Sequence, residues 1–402
     1  MGKTSFIQGI FIIVWENQMN PCFVLMKYII LKIILSVMKN NQTLSLVFAF
    51  ILILTGCSLS KVNQDVTPVK NTRNIILFIG DGMGVAHLYA GMTVSKQPSN
   101  LEKFPYSGLS KTYSYDNYIT DSGAGGTAIA SGVKTNNGMI GVTPDSVAVA
   151  SILEIAHNKG LSTGVVSTSS VTHATPASFV AHNADRDNYE EIAEDFLKGT
   201  VDLFIGGGED HFRKRKDGRD LTVDLKGEGF DVVYTIDDLK KSNSVKISGL
   251  LAKVHMPKAS EGRTGMLEEM TKKSIETLSR DKDGFFLMVE GSMIDYGSHE
   301  NNTEYTVDEV IDFDKAIGIA LQYADIDNET LVVVTADHET GGLTLTGGNL
   351  KEHKIEANFS TKDHTSVMVP IFSFGPGAER FSGIHENTFF FNEFLSLLKV
   401  IK

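Results

Sequence analysis

Thiol is almost absent from this chain. Cys22 and Cys57 are its only cysteines in 402 residues, and both precede the segment that reads as the folded domain. A disulfide framework is thereby excluded, and so is a thiolate metal site; the domain must draw its stability from its own core. Positive charge is also short. Lys and Arg number 37 against 49 Asp and Glu, a net −12. That balance argues against nucleic acid as a binding partner, although a local cationic or metal-lined pocket can still take a small anion. No internal repeat and no low-complexity tract occurs, so one large α/β domain or two smaller ones can be accommodated. No GxSxG elbow surrounds Ser122, and no Walker lysine follows the glycines at Gly206–Gly208.

The apolar stretch Leu44–Leu54 is too short for a bilayer, which needs about 20 residues. It suits the apolar region of a secretory signal. The "LTGC" ending at Cys57 resembles a bacterial lipobox, with cleavage leaving Cys57 lipidated. Residues 1–56 therefore read as a signal region. Met38-Lys39 opens an ordinary signal peptide, and residues 1–37 read as a mis-called upstream extension; the alternative is that "FIIV" and "YIILKIILSV" are further membrane-seeking segments. Removal of Lys3, Lys27, Lys32, Lys39 and Glu16 with this region leaves 33 basic and 48 acidic residues, or −15. Residues 57–72 read as a lipidated tether and residues 73–402 as the folded domain. The expected location is the bacterial cell envelope: exported, lipid-anchored at Cys57, on the periplasmic or surface side of a membrane.

Within the domain, short β-branched runs alternate with helical patterns. "NIILFIG", "STGVVST", "DLFIGGG", "FFLMVEG", "TLVVVTAD" and "VPIFSFG" read as buried strands. "VAVASILEIAHNKG", "NYEEIAEDFLKG" and "MLEEMTKKSIETLSR" read as helices, the first two ending at glycine C-caps. Continuous apolar strands alternating with helices predict a three-layer α/β/α fold on a large, mostly parallel central sheet. Residues 209–259, charged and weakly periodic, read as an edge excursion outside the chemistry.

The chemistry gathers after the strands, where open α/β sheets bind ligands. Asp81 follows the first strand. His173 and Thr175 follow the second, Glu290, Asp295 and His299 belong with "FFLMVEG", and Asp337 and His338 follow "TLVVVTA". One aspartate after a strand is an ordinary cap or turn former; repeated convergence is not explained that way. Asp and His without thiolate suit zinc, while Glu290 and Thr175 offer hard oxygens that suit magnesium. Asp295 and His299 are spaced to share a helix face. His364, alone, would rank as a surface histidine. In "TDSGAGGTAIASG", Ser122 opens a small-residue helix whose N-terminus can bind an anion. Its glycines at 123, 125 and 126 would let a phosphate approach. A serine activated by metal fits this pattern better than a Ser-His-Asp triad, yet close helix packing around an incidental serine explains the stretch equally well. His87, His157 and His182 read as structural. His211, His255, His353 and His385 read as exposed, and "KRK" at Lys214–Lys216 as a solvated face.

Six motifs then occur in order: "LFIGDGMG", "TDSGAGGTAIASGVKTNNGMIGV", "HATPASFVAHNADR", "VEGSMIDYGSH", "TADHETGG" and "DHTSVMVPIFSFGPGA". On these the chain resembles the metal-dependent alkaline phosphatases over nearly all of residues 73–380. The resemblance implies two Zn2+ and one Mg2+ per chain. Asp295, His299 and His364 would hold one zinc, and Asp81, Asp337 and His338, joined by Ser122, the other. Asp81 would bridge to magnesium with Thr175 and Glu290. Ser122 would be the nucleophile that becomes phosphoserine, Arg186 the clamp on phosphoryl oxygens, and Asp121 its orienting partner. His173 and Tyr296 would lie near the third metal and the bound phosphate; some bacterial members carry aspartate and lysine there. The crown between His338 and His364 would be small. Small phosphate monoesters are the implied substrates and a homodimer is a family-level expectation. Two readings compete: a phosphodiesterase or other hydrolase of the same superfamily, and a non-catalytic phosphate- or metal-binding lipoprotein.

Overall fold

The computed structural model describes residues 72–398. The signal region and Cys57 lie outside them, as does all of the tether except its last residue. Strands run in chain order as β1 (Asn74–Gly80), β2 (Tyr106–Lys111), β3 (Ser162–Ser170), β4 (Leu203–Gly207), β5 (Asp231–Val233), β6 (Ile247–Ala252) and β7 (Phe285–Gly291). There follow β8 (Thr330–Thr335), β9 (Glu339–Thr340), β10 (Thr344–Asn349), β11 (Lys354–Asn358), β12 (His364–Thr365), β13 (Val369–Phe374) and β14 (Gly383–Glu386). Ten of them form one sheet in the order β14-β2-β13-β8-β1-β7-β3-β4-β6-β5. From β5 to β8 every pairing is parallel; β13 runs antiparallel to both its neighbours. The small crown is the exposed hairpin β10–β11.

The central strands are apolar throughout because both faces are covered. In β1, Ile75, Leu77 and Ile79 enter one core while Ile76 and Phe78 enter the other. The first core is closed by helices Ser122–Ser131, Ile152–Asn158 and Phe389–Leu398, through Ile129, Leu153 and Phe394. The second is closed by Val85–Val94, Met266–Leu278 and Thr303–Asp327, through Leu88, Met270 and Phe313. Phe78 meets Phe313 edge-on at 5.7 Å; truncating such a ring to alanine costs about 3–5 kcal/mol. The three-layer α/β/α prediction holds.

Two expectations need correction. Residues 209–259 do lie at the sheet's edge, but they extend the sheet itself: β6 pairs with β4 and β5 with β6. The helix expected from Val147 begins at Ile152, because Ser151 and Glu154 form a reciprocal capping box. The residues before it are held in a turn, with Val142 bridged to Ala148.

Candidate metal and phosphoryl site

Every acidic or imidazole group singled out after a strand stands at the carboxyl edge of the parallel sheet. β1 ends into Asp81, and Gly82 turns the chain there with φ +69°; a Cβ on it would come within 2.8 Å of Asp295 Oδ1. β3 delivers His173 and Thr175, β7 delivers Glu290, and β8 delivers Asp337 and His338. The short helix Met293–His299 after β7 carries Asp295 and His299 one turn apart. His364 comes in β12, which pairs with β9 just past His338.

Three groups result. In the first, His299 Nε2 is 3.2 Å from Asp295 Oδ2 and His364 Nε2 is 3.6 Å from Asp295 Oδ1. The tautomers follow from the backbone. His364 Nδ1 donates to Thr120 O at 2.9 Å, and His299 Nδ1 donates to Lys362 O. Carbonyls only accept, so in neutral rings both Nε2 atoms are bare, and these face each other at 3.1 Å. Two lone pairs and a carboxylate so placed require a positive charge between them. A proton is one answer: the hydrogen bond to Asp295 raises His299 to about 9. A divalent cation is the other. Against its burial, His299 and then the facing imidazoles hold Asp295 well below the usual carboxylate range.

The second group centres on His338 Nε2. Ser122 Oγ lies 3.1 Å away, Asp81 Oδ1 3.3 Å and Asp337 Oδ2 3.4 Å. Three oxygens crowd one nitrogen, and a single proton cannot satisfy them. In a Ser-His-Asp triad the carboxylate would hold the other ring nitrogen; here His338 Nδ1 meets Thr340 Oγ1 at 3.2 Å. All four residues are at most 2 % exposed.

The third group joins Asp81, His173 and Glu290, with Thr175 fully buried near them. Desolvation and then Asp337 push Asp81 well up, desolvation pushes Glu290 to about 7, and desolvation with Asp295 pushes Asp337 to about 6. Burial lowers both His173, with help from Arg186, and His338, with help from His364. Both oxygens of Asp81, Asp337 Oδ2, Glu290 Oε1 and Thr175 Oγ1 lack any hydrogen-bond partner. Buried polar atoms are seldom left so, and these five fall within the second and third groups. The donor set, oxygen and imidazole only, fits divalent cations.

Ser122 opens the helix Ser122–Ser131, capped by Asp121, whose Oδ1 accepts from Ala124 N at 2.8 Å. The other oxygen of Asp121 accepts from Gly138 N at 2.9 Å and from Arg186 Nη1 at 2.8 Å. One carboxylate thus sets the serine's helix and the arginine together. Arg186 Nη2 also lies 3.4 Å from His173 Nε2. Of the two uses expected for the glycines, close packing is the one the geometry supports. Cβ atoms on Gly123, Gly125 and Gly126 would meet Met139 O at 2.8 Å, Asp337 O at 3.1 Å and Ser178 Oγ at 2.9 Å. They face protein, and let the helix lie against the site's own framework.

Four further residues depart from expectation. His211, His255 and His385 are half-buried instead of exposed, the last stacked on Phe389 at 3.8 Å. His255 accepts from Ser170 N and meets Tyr296 Oη at 3.1 Å; His211 Nδ1 meets Thr172 Oγ1 at 2.6 Å. His255 follows β6 as the other site residues follow their strands, and only the missed strand hid it. Arg215 of "KRK" is buried against Glu194 and Asp217, at 2.5 and 2.6 Å. His87 is structural as expected, accepting from Gly84 N and meeting Ser298 Oγ.

The alkaline phosphatase family model matches residues 72–358. Alkaline phosphatase 4 of Bacillus subtilis is 35% identical, covering 82% of this chain and 89% of its own. Alkaline phosphatase of Escherichia coli is 30% identical over 83% of this chain and 88% of its own. The solved alkaline phosphatase of the Antarctic bacterium TAB5 is 42% identical, with a TM-score of 0.78 over 82% of this chain and 98% of that one. A mutant of that protein has magnesium bound in its M3 site. The chain belongs to the alkaline phosphatase family, and with it to the phosphomonoesterases.

Proposed function

We propose that the protein hydrolyses phosphate monoesters by two successive displacements at Ser122, in a site holding two zinc ions and one magnesium ion. The observation that carries this is the crowding of Ser122 Oγ, Asp81 and Asp337 on His338 Nε2. Asp295, His299 and His364 would hold one zinc; Asp81, Asp337, His338 and Ser122 the other; Asp81, Thr175 and Glu290 the magnesium, with His173 beside it. When bound, such ions lower the pKa of a coordinated hydroxyl and offset charge developing on the leaving oxygen.

The chain's own groups do the rest. Ser122 Oγ attacks phosphorus in line with the departing alcohol oxygen, forming phosphoserine. Water then attacks from the face the alcohol left, and Ser122 departs, giving inorganic phosphate with net retention at phosphorus. Arg186, aimed by Asp121 at 2.8 Å, grips equatorial oxygens as a planar fork. Arg186 favours monoesters, since a diester lacks the extra charged oxygen. Catalysis of this kind is mostly positioning and charge stabilisation. The Ser122→Ala variant tests it: 32P-labelled substrate should leave no label on the protein after an acid quench, and label at wild-type level would assign the nucleophile elsewhere.

Export and anchoring through a lipid on Cys57 are proposed from the "LTGC" sequence, and a homodimer from family likeness. Mass spectrometry of the envelope-bound form would read the lipid on Cys57 directly.

A further inference from the structure

His255 arrives from outside the catalytic motifs, on the segment after the edge strand β6. That segment is pinned: Met256 N donates to Thr168 O at 3.2 Å, Ser170 Oγ to Val254 O at 3.0 Å, and Arg263 Nε to Pro257 O at 2.8 Å. Its imidazole is therefore held from both sides. Ser170 N lies 3.2 Å from His255 Nδ1. A backbone N–H can only donate, so Nδ1 is bare and the ring proton sits on Nε2. Nε2–H then donates to Tyr296 Oη at 3.1 Å. With a lone pair so occupied, the tyrosine's own proton must be given elsewhere. Among the described residues no protein group accepts it. Tyr296 adjoins Asp295 in sequence, and its half-buried ring stands 6.2 Å from that of His173, which touches Arg186.

We propose that His255 is a positioning residue that fixes the Tyr296 hydroxyl as a donor to a phosphoryl oxygen of the substrate. The inference rests on the reading of Ser122 and Arg186 as the phosphate site. It gives the edge of the sheet a part in holding phosphate, through an imidazole whose tautomer the backbone dictates.

Inhibition by inorganic phosphate of the metal-loaded enzyme reads this out. A hydrogen bond to a charged oxygen is worth roughly tenfold in affinity, so Tyr296→Phe should raise Ki for phosphate by about tenfold. Two conservative variants separate positioning from mere structure. His255→Asn keeps an acceptor near Ser170 N but removes the donor that reaches Tyr296; His255→Gln keeps a donor near the Nε2 position. The proposal expects His255→Asn to raise Ki severalfold, His255→Gln to stay near wild type, and His255→Asn to add nothing in a Tyr296→Phe background. A wild-type Ki in His255→Asn, or an undiminished effect in the Tyr296→Phe background, overturns it. Should His255→Asn not fold, an unchanged Ki in Tyr296→Phe overturns it alone. Failure of the parent reading would show separately, as phosphoenzyme still forming in Ser122→Ala.

Discussion

Two clusters of buried charge in this molecule are built on opposite plans. Arg263 is fully buried with Glu309 and Asp312. Its Nη1 donates to Asp312 Oδ2 at 2.7 Å, its Nη2 to Glu309 Oε2, and its Nε to Pro257 O. The remaining carboxylate oxygens accept from Ala259 N at 2.7 Å and Gly265 N at 2.9 Å. Every charged atom there has a partner. The cluster of Asp81, Glu290, Asp337 and His338 is as deeply buried, yet its carboxylates carry oxygens with no partner at all. Self-sufficient burial marks a structural tie. Burial that leaves anionic oxygens unmatched marks a place where charge arrives from outside, because an uncompensated buried carboxylate is too costly to keep for packing alone.

That contrast can be broken in several ways. The largest effect belongs to Ser122→Ala, expected to lower kcat by on the order of a thousandfold or more while thermal stability stays near wild type; activity assays beside a melting curve measure both. Chelation should abolish turnover reversibly and also lower Tm, since ions that bind only the folded state stabilise it; zinc followed by magnesium should restore both. The Arg263 cluster should respond in the opposite sense. Arg263→Ala leaves two buried carboxylates unpaired and should cost about 3–5 kcal/mol in denaturant unfolding, with kcat of the folded fraction unchanged and no rescue by metal.

How much of this could be read from the chain follows the same physics. β1, β7 and β8 were legible because a strand buried on both faces must be apolar throughout. Asp81, Asp295, Asp337 and His338 were legible because each follows such a strand; the small residues behind Ser122 left its role open between anion binding and packing, and only the ordered motifs singled it out. β5 and β6 were not. "DVV" is very short, and "ISGLLA" carries Ser248 and Gly249 where a periodic signal would need apolar side chains. With β6 went His255, whose partners Ser170 and Tyr296 are 85 and 41 positions away. Arg215 was misjudged for a similar reason: its burial depends on Glu194, reached only through the fold. Local pattern reveals what an element buries, but not which distant group completes a polar contact.

The smallest effect concerns a third kind of pair, partly buried and titratable. His182 Nε2 lies 3.1 Å from Glu154 Oε1. The hydrogen bond to Glu154 raises His182 above its ordinary 6.5, and despite burial the bond from His182 holds Glu154 below 4.5. The histidine's share of stability is complete below pH 6.5 and is lost as pH rises through its raised value. The glutamate's share is complete above pH 4.5 and is lost as pH falls through its lowered value. His182→Gln should therefore lower Tm more at pH 6 than at pH 9; equal losses would assign the pair a purely steric role.

The most direct test of the contrast is the metal content of the purified protein, by plasma mass spectrometry after exhaustive dialysis against metal-free buffer. The account predicts about two zinc and one magnesium per chain, with one zinc lost when His364 and His299 are both changed to alanine and neither lost in Arg263→Met. A wild-type chain that turns over phosphate monoesters with well under one equivalent of any divalent metal would contradict it, and would mean that protons satisfy the buried carboxylates.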